Sequence, residues 1–253
     1  MSSESARAGA GTAREAGPPG RARGLGAVPR GWLDGGMDRL TGRRFAAVIF
    51  DLDGTLIDSH PAIARAWTTW LAEFEVTPDP AANVNGMTSE AIVRLIVPAH
   101  RVVEATARME ELEVFETEGI RALPGAREAL QALPSDRVAV ATSGTRAVAT
   151  ARLDAAGLTP PAVLLTADDV EHGKPAPDLF LAAARALGVD PADCLVVEDA
   201  PAGVRAARAA GARVLGVLTT TPADDLPADL VVPDLSHVAF STDAGSLRVR
   251  HLG

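Results

Sequence analysis

One cysteine, one lysine and few aromatic rings set the first bounds on this 253-residue chain. The lone thiol, Cys194, rules out an intrachain disulfide and fits a reducing compartment. It opens the apolar run Leu195-Val196-Val197, so a small buried core residue is expected there. Aromatic residues make up 4% of the chain and its formal charge is -9, which argues against the basic, stacking-capable face that nucleic-acid binding uses. No stretch reaches the ~18 uninterrupted apolar residues of a membrane span. Together these shortages predict a soluble, cytoplasmic protein with neither nucleic acid nor membrane as a partner, a monomer or a weak dimer. The near-absence of lysine is more pointed. Every other basic residue is arginine, and the exception is Lys174. A compact ammonium in place of a planar fork suggests a site that needs one; chance within the compositional bias is the alternative.

What the chain does contain falls into three parts. Residues 1–44 are rich in Gly, Ala, Arg, Ser and Pro without apolar period, and predict a disordered tail. This tail has no hydrophobic segment of the secretory kind, and Glu4 and Glu15 argue against an organelle-transit reading. Met37, a few residues before the first strand, is an alternative translation start. Residues 59–123 show helical spacing. Ile63, Ala66, Trp67, Trp70, Leu71 and Phe74 form one stripe after a candidate N-cap at Ser59. Pro78-Asp79-Pro80 breaks that helix, and a second runs from Thr88 to Val97. A third is expected over Val102 to Ile120, with Met109, Leu112 and Phe115 inward and the carboxylates from Glu110 to Glu118 forming a solvated face. No strand is expected in this part, which reads as a small helical cap.

Residues 45–58 and 124–253 alternate strand and helix, with strands over Arg137–Ala141, Ala162–Thr166, Cys194–Glu198, Arg213–Val217 and Leu230–Val232. The rhythm predicts an α/β fold: a doubly wound parallel sheet with the helical cap inserted after its first strand. The two short runs around Asp243-Ala244-Gly245 suggest a terminal hairpin.

Chemistry gathers where the apolar runs end. Ala46-Ala47-Val48-Ile49-Phe50 reads as a buried strand, and Asp51-Leu52-Asp53-Gly54-Thr55 follows at once. Ligands of open α/β sheets bind beyond the carboxyl ends of the strands. Two aspartates two residues apart repel unless a cation lies between them, which suggests a divalent metal; an acidic loop after a core strand is the plainer reading. Gly54 permits the turn that follows. Val138-Ala139-Val140-Ala141 ends in Thr142-Ser143-Gly144-Thr145 before a helix, either an anion cradle of hydroxyl and free N–H groups or a simple helix cap. In His172-Gly173-Lys174-Pro175-Ala176-Pro177-Asp178 the prolines stiffen the loop that presents Lys174, and Pro177 suits the first turn of the next helix. Val196-Val197 ends in Glu198-Asp199. With Asp51 and Asp53 this predicts four carboxylates at one sheet edge, a cluster untenable without a cation; all-oxygen ligands point to Mg²⁺, with a structural Ca²⁺ as competitor.

Taken in order, Asp51-Leu52-Asp53-Gly54-Thr55, Thr142-Ser143, Lys174-Pro175 and Glu198-Asp199 resemble the four motifs of the haloacid dehalogenase-like (HAD) phosphohydrolase superfamily, over Phe45 to about Val232. Within it, Ser59-His60-Pro61-Ala62-Ile63-Ala64, Ala141-Thr142-Ser143-Gly144-Thr145 and Glu198-Asp199-Ala200-Pro201-Ala202-Gly203 look like the glycerol-phosphate and deoxyglucose-phosphate phosphatases. The resemblance implies a Rossmannoid core, a cap that selects substrate, and Mg²⁺-dependent hydrolysis of a small sugar or polyol phosphate. It implies Asp51 as nucleophile, forming an aspartyl-phosphate, and Asp53 as acid and then base. It implies Mg²⁺ on Asp51, the backbone carbonyl of Asp53 and Asp199, with Glu198 acting through water. Phosphate would be bound by Thr142, Ser143, Gly144 and Lys174. The cap loop Asn85-Gly86 would meet the substrate. Met87 and Thr88 stand where many relatives carry a basic residue, which puts recognition of a second anionic group in question. Arg94 either faces the site or lies on a solvated face, and His60 either lines the entrance or is a surface histidine. Alternatives are a phosphosugar mutase of the β-phosphoglucomutase type, a hydrolytic dehalogenase, and a non-catalytic phosphosugar-sensing relative.

Overall fold

The computed structural model describes residues 40, 42–77, 86–243 and 245–252. The expectations for the tail before Leu40, for Met37, for Pro78-Asp79-Pro80 and for Asn85 lie outside these residues. Leu40, assigned to the tail on composition, is instead buried in the main core, and its carbonyl accepts from Arg43 N at 3.0 Å. One apolar side chain in a Gly- and Arg-rich stretch has no period to betray it.

The first strand, β1 (Ala47–Phe50), is buried along its whole length because both of its faces are covered. Val48 and Phe50 point into one core, Ala47 and Ile49 into the other. That is why its sequence reads as a continuous apolar run rather than an alternating one. Around it are β4 (Val138–Ala141), β5 (Val163–Leu165), β6 (Cys194–Glu198), β7 (Arg213–Val217) and β8 (Leu230–Val232). All pairings are parallel, in the order β5-β4-β1-β6-β7-β8. The order reverses direction at β1, which sits between β4 and β6, so the tips of those three strands open onto one crevice. Helices α4 (Ala126–Gln131), α5 (Arg146–Ala155), α6 (Asp178–Ala186) and α7 (Pro201–Ala209) make the crossovers. The expected terminal hairpin is present as β9 (Val238–Asp243) and β10 (Ser246–His251); its Phe240, Leu247 and Val249 close the Phe50 side of the core.

The cap is built from α1 (His60–Phe74), α2 (Ser89–Ile96) and α3 (Val102–Phe115). It has its own core of Ala66, Trp70, Val93, Ala105, Met109 and Leu112. Trp70 is its centre, stacked on Phe74 with centroids 4.6 Å apart and donating its indole N–H to Ala105 O at 2.8 Å. Three expectations for this part need correcting. A short antiparallel ribbon joins β2 (Ile57–Asp58) to β3 (Arg121–Ala122), where no strand was expected; two residues are too few to show a period. The third helix stops at Phe115, whose ring is 81% exposed rather than turned inward. Glu113, assigned to the solvated face, is 7% exposed. The ribbon matters for the site because it sets both core–cap connections side by side, pinned by an Asp58–Arg121 ion pair. Among the described residues, no helix is long and apolar enough to cross a membrane.

Candidate active site

Three strand tips and one loop bring the predicted residues together. The amide of Asp51 donates to Val197 O at 3.0 Å, continuing the β1–β6 ladder, and this fixes Asp51 beside Glu198 and Asp199. The carboxylates of Asp51, Glu198 and Asp199 each offer an oxygen within 4.8 Å of the others, and all three residues are buried. Gly54, at φ 86°, turns the chain directly beneath Asp199, whose carboxylate a Cβ there would overlap. At Gly203, on the first turn of α7, an added Cβ would likewise overlap the Glu198 carboxylate. The Glu198 side chain therefore lies flat on that helix. Its Oε2 accepts from Asp199 N at 3.0 Å and Ala200 N at 2.9 Å.

Lys174 is 3% exposed and sits in the middle of this acidic set. Its Nζ pairs with Asp51, with Glu198 Oε1 at 2.8 Å and with Ala141 O at 3.2 Å, and it lies 5.2 Å from the Phe180 ring centroid. One ammonium against three carboxylates leaves a buried excess of negative charge. The consequences are visible on Asp51 and Asp199. Burial pushes the Asp51 carboxyl up to about 7, against the pull of Lys174. The Asp199 carboxyl is raised well above the usual range, first by burial and then by the charges of Glu198 and Asp51. Among the described residues, only hydroxyls donate to Asp199: Thr55 at 3.3 Å and Thr220. Lys174 is shifted upward, because its two carboxylate partners outweigh its burial. A cluster short of positive charge, made of oxygen donors with one member lacking a cationic partner among the described residues, fits a hard divalent cation.

Thr142 ends β4 on the same rim, buried, and its Oγ1 accepts from Gly144 N at 3.2 Å. The Ser143 hydroxyl is engaged elsewhere, donating to Gly86 O of the cap at 2.8 Å, so only its backbone remains for an anion. Asp53 departs from the predicted four-acid cluster. Its carboxylate turns away from the other three: Oδ1 accepts from Ser59 Oγ at 2.6 Å, and Oδ2 pairs with Arg152 Nη1 at 2.9 Å. Ser59 therefore binds Asp53 and makes no side-chain cap to α1. Arg94 pairs with Glu90 on the exposed face of α2, away from the site.

Asp51, Asp53, Thr142, Glu198, Asp199 and Arg152 line a cavity of about 520 Å³ between core and cap. Its floor is Asp51, Asp53, Thr142 and Asp199; its cap wall is mostly apolar, from Ile63, Trp67, Leu71, Met87, Ile92 and Ile96, with Ser89 and Glu113 as polar members. His60 and Gly86 also line it. Arg152, Glu113 and Thr220 had not been singled out from sequence. For the first two a signal was present: Arg152 follows Val148 and Ala149 at helical spacing, and Glu113 follows Met109, so both fall on buried stripes. Thr220, in a loop, had none.

The model of the haloacid dehalogenase-like hydrolase family matches residues 45–211. The chain belongs to that family. It is accordingly an enzyme, a HAD-like phosphatase. It is 41% identical over 207 residues to hexitol phosphatase A of Escherichia coli, covering 78% of this chain and 95% of that protein. It is 37% identical over 194 residues to glycerol-1-phosphate phosphohydrolase 2 of Saccharomyces cerevisiae, covering 71% and 77%. A solved hydrolase from Pseudomonas syringae superposes with a TM-score of 0.68 at 32% identity, over 75% of this chain and 94% of that one. The family match spans every strand of the HAD core from β1 to β6 and all of the cap, so it covers the whole of the cavity's described lining.

Proposed function

We propose that this phosphatase hydrolyses monophosphate esters of small, uncharged sugars or polyols, with Mg²⁺, through an aspartyl-phosphate on Asp51. The observation that carries the reading is the Asp51–Lys174 pair set into a charge-deficient acidic cluster at the floor of the cavity between core and cap. Asp51 attacks phosphorus in line; a P–O bond forms to its carboxylate as the ester P–O bond breaks. Asp53, facing the same cavity, hands a proton to the departing alkoxide and is left as the carboxylate that Arg152 pairs with. It then takes a proton from the water that attacks the aspartyl-phosphate, and inorganic phosphate and free Asp51 result. The Thr142 hydroxyl and the Ser143 and Gly144 amides hold phosphoryl oxygens, while Lys174 keeps Asp51 oriented and offsets charge. Mg²⁺ would be held by Asp51, Asp199 and the Asp53 carbonyl, with Glu198 behind, and when bound it supplies the positive charge that lets an anionic nucleophile approach an anionic phosphoryl group. Gly86 and His60 border the leaving group; Asn85 is assigned there from sequence alone. By the same reading residues 59–123 are the substrate-selecting cap and 45–58 with 124–253 the catalytic core.

The class of substrate follows from charge. Among the described residues lining the cavity, the only lysine or arginine is Arg152, and it is already shared between two carboxylates. A second phosphate or a carboxylate on the substrate would meet a mostly apolar wall and no free cation. The names of the hexitol and glycerol-1-phosphate relatives support the same class. A phosphate-release panel tests it. Hexitol and glycerol monophosphates should exceed phosphoglycolate and sugar bisphosphates by about tenfold or more in kcat/KM, and a chelator should stop release. Preference for a dianionic remainder, or release undiminished by chelator, would overturn the reading.

The metal has a pH signature. Mg²⁺ binds the ionised carboxylates, and in the metal-free protein Asp51 and Asp199 hold their protons to unusually high pH. The thermal stabilisation given by millimolar Mg²⁺ should therefore be small near pH 5 and grow as pH rises through about 7. A shift of equal size at both ends, read by melting with and without Mg²⁺, would count against a metal on these acids.

A further inference from the structure

Arg152 is an unusual residue to find where it is. It is 3% exposed, on a helix already anchored by Val148, Ala149 and Leu153. Its Nη1 meets Asp53 Oδ2 at 2.9 Å and its Nη2 meets Glu113 Oε1 at 3.0 Å. Its Nε is buried without a hydrogen-bond partner among the described residues. Glu113 belongs to the cap and is itself held by Ser89 Oγ, which donates to Oε2 at 2.8 Å from another cap helix. A buried ion pair contributes little net stability, since the loss of hydration offsets most of the attraction. What a planar guanidinium supplies here is direction.

We infer that Arg152 is a positioning residue for Asp53, and that Glu113 reaches down from the cap to hold Arg152 in the pose that aims the acid at the leaving group. The inference rests on the assignment of Asp53 as general acid. Asp53 is gripped at both oxygens: by Ser59 at the start of the outgoing connection to the cap, and by Arg152 from the core. With one oxygen fixed, a carboxylate still swings about its χ2 axis. With both fixed it does not, and proton donation depends on heavy atoms being aligned within hydrogen-bond reach. Glu113 adds a condition. The guanidinium spans the two acids, so withdrawing the cap leaves Nη2 unpaired and the group free to turn. Two further contacts cross the same seam, Thr145 Oγ1 to Glu110 at 2.7 Å and Ser143 Oγ to Gly86 O, so Glu113 arrives at Arg152 as the cap seats on the core. The acid is thus aligned in the seated arrangement and released from alignment outside it.

The test uses leaving groups that differ in their need for an acid. A polyol alkoxide must be protonated as it leaves, whereas p-nitrophenolate departs unaided. The measurement is kcat/KM, which reports only the steps through transfer to Asp51, so hydrolysis of the common intermediate drops out. In the full chain with Mg²⁺, Arg152→Gln should lower kcat/KM for glycerol 1-phosphate or a hexitol phosphate by about 10²-fold. On p-nitrophenyl phosphate the loss should be less than about fivefold. Arg152→Lys should recover part of the loss. Glu113→Gln, which keeps the Arg152–Asp53 pair and is the milder change should Arg152→Gln fold poorly, should show the same selectivity at about tenfold. Equal losses on both esters, or none on either, would overturn the inference. Asp53→Asn separates the two layers of the argument. If it is selective and the Arg152 and Glu113 variants are not, the positioning role alone fails; if Asp53→Asn is itself unselective, the general-acid assignment fails and takes the inference with it.

Discussion

Asp51→Asn should lower turnover by about 10⁴-fold or more while leaving the metal-free protein at least as stable as the wild type. An amide is a poor nucleophile toward phosphorus, and nothing else at the β1 tip replaces it: Asp53 is turned toward Arg152 and Ser59. The stability half of the prediction comes from the same burial that shapes the site. A carboxyl raised to about 7 in the folded protein, against about 3.9 when unfolded, contributes a destabilisation that grows as pH rises from about 4 through about 7. Asparagine does not titrate. The variant should therefore match wild type near pH 4 and exceed it at pH 8, with Lys174 still paired to Glu198. Magnesium should stabilise the variant less than wild type, because one of the three acids no longer carries charge. Phosphate release and melting curves at the two pH values check both halves. Activity above about a tenth of wild type would remove Asp51 from its role.

Lys174→Met carries the largest expected effect on the fold. It leaves Asp51, Glu198 and Asp199 buried together with no cation among their described neighbours. Breaking a buried ion pair from one side costs about 3–5 kcal/mol, because the stranded charges have neither water nor partner. For a chain of this size that is a fall of roughly 6–20 °C in melting temperature at pH 8. The deficit should shrink toward pH 5, where Asp51 and Asp199 take up protons and the missing ammonium matters less, and Mg²⁺ should restore part of it at the higher pH. Turnover should be lost in parallel, since Asp51 loses the group that orients it. A variant that melts with wild type at pH 8 would show that the cluster does not depend on this ammonium.

The contrast between the two acidic groups explains which residues could be read in advance. Asp51, Glu198 and Asp199 lie directly at the ends of apolar strands, and Lys174 in a loop stiffened by proline. Their positions follow from local pattern: a run of buried residues, then a polar tip, with the sheet's parallel order bringing the tips together. Arg152 and Glu113 sit inside helices, with Glu113 among the other glutamates of α3. Their helical spacing marks them as inward; the solvated face read for the α3 carboxylates holds at Glu111 and fails at Glu113, which is buried. Ser59 misled in the opposite way. Its place before α1 suits an N-cap, but the Asp53 carboxylate competes for the hydroxyl and wins, because a charged acceptor forms the stronger bond.

The chain's sequence by itself determined the parallel α/β core with its inserted cap, the three carboxylate-bearing or hydroxyl-bearing strand tips, and the proline-stiffened loop that carries its one lysine. Each of these rests on periodicity or on neighbours a few residues apart, which is information a linear pattern holds. Only the tertiary structure decided that Asp53 leaves the metal-fitting cluster for Arg152, that Glu113 is buried, and that the cavity's cap wall is mostly apolar. Those outcomes depend on which side chains meet across a seam between two parts with separate hydrophobic cores. Arg152 and Glu113 are 39 residues apart in the chain, and their meeting is set by how the helices dock.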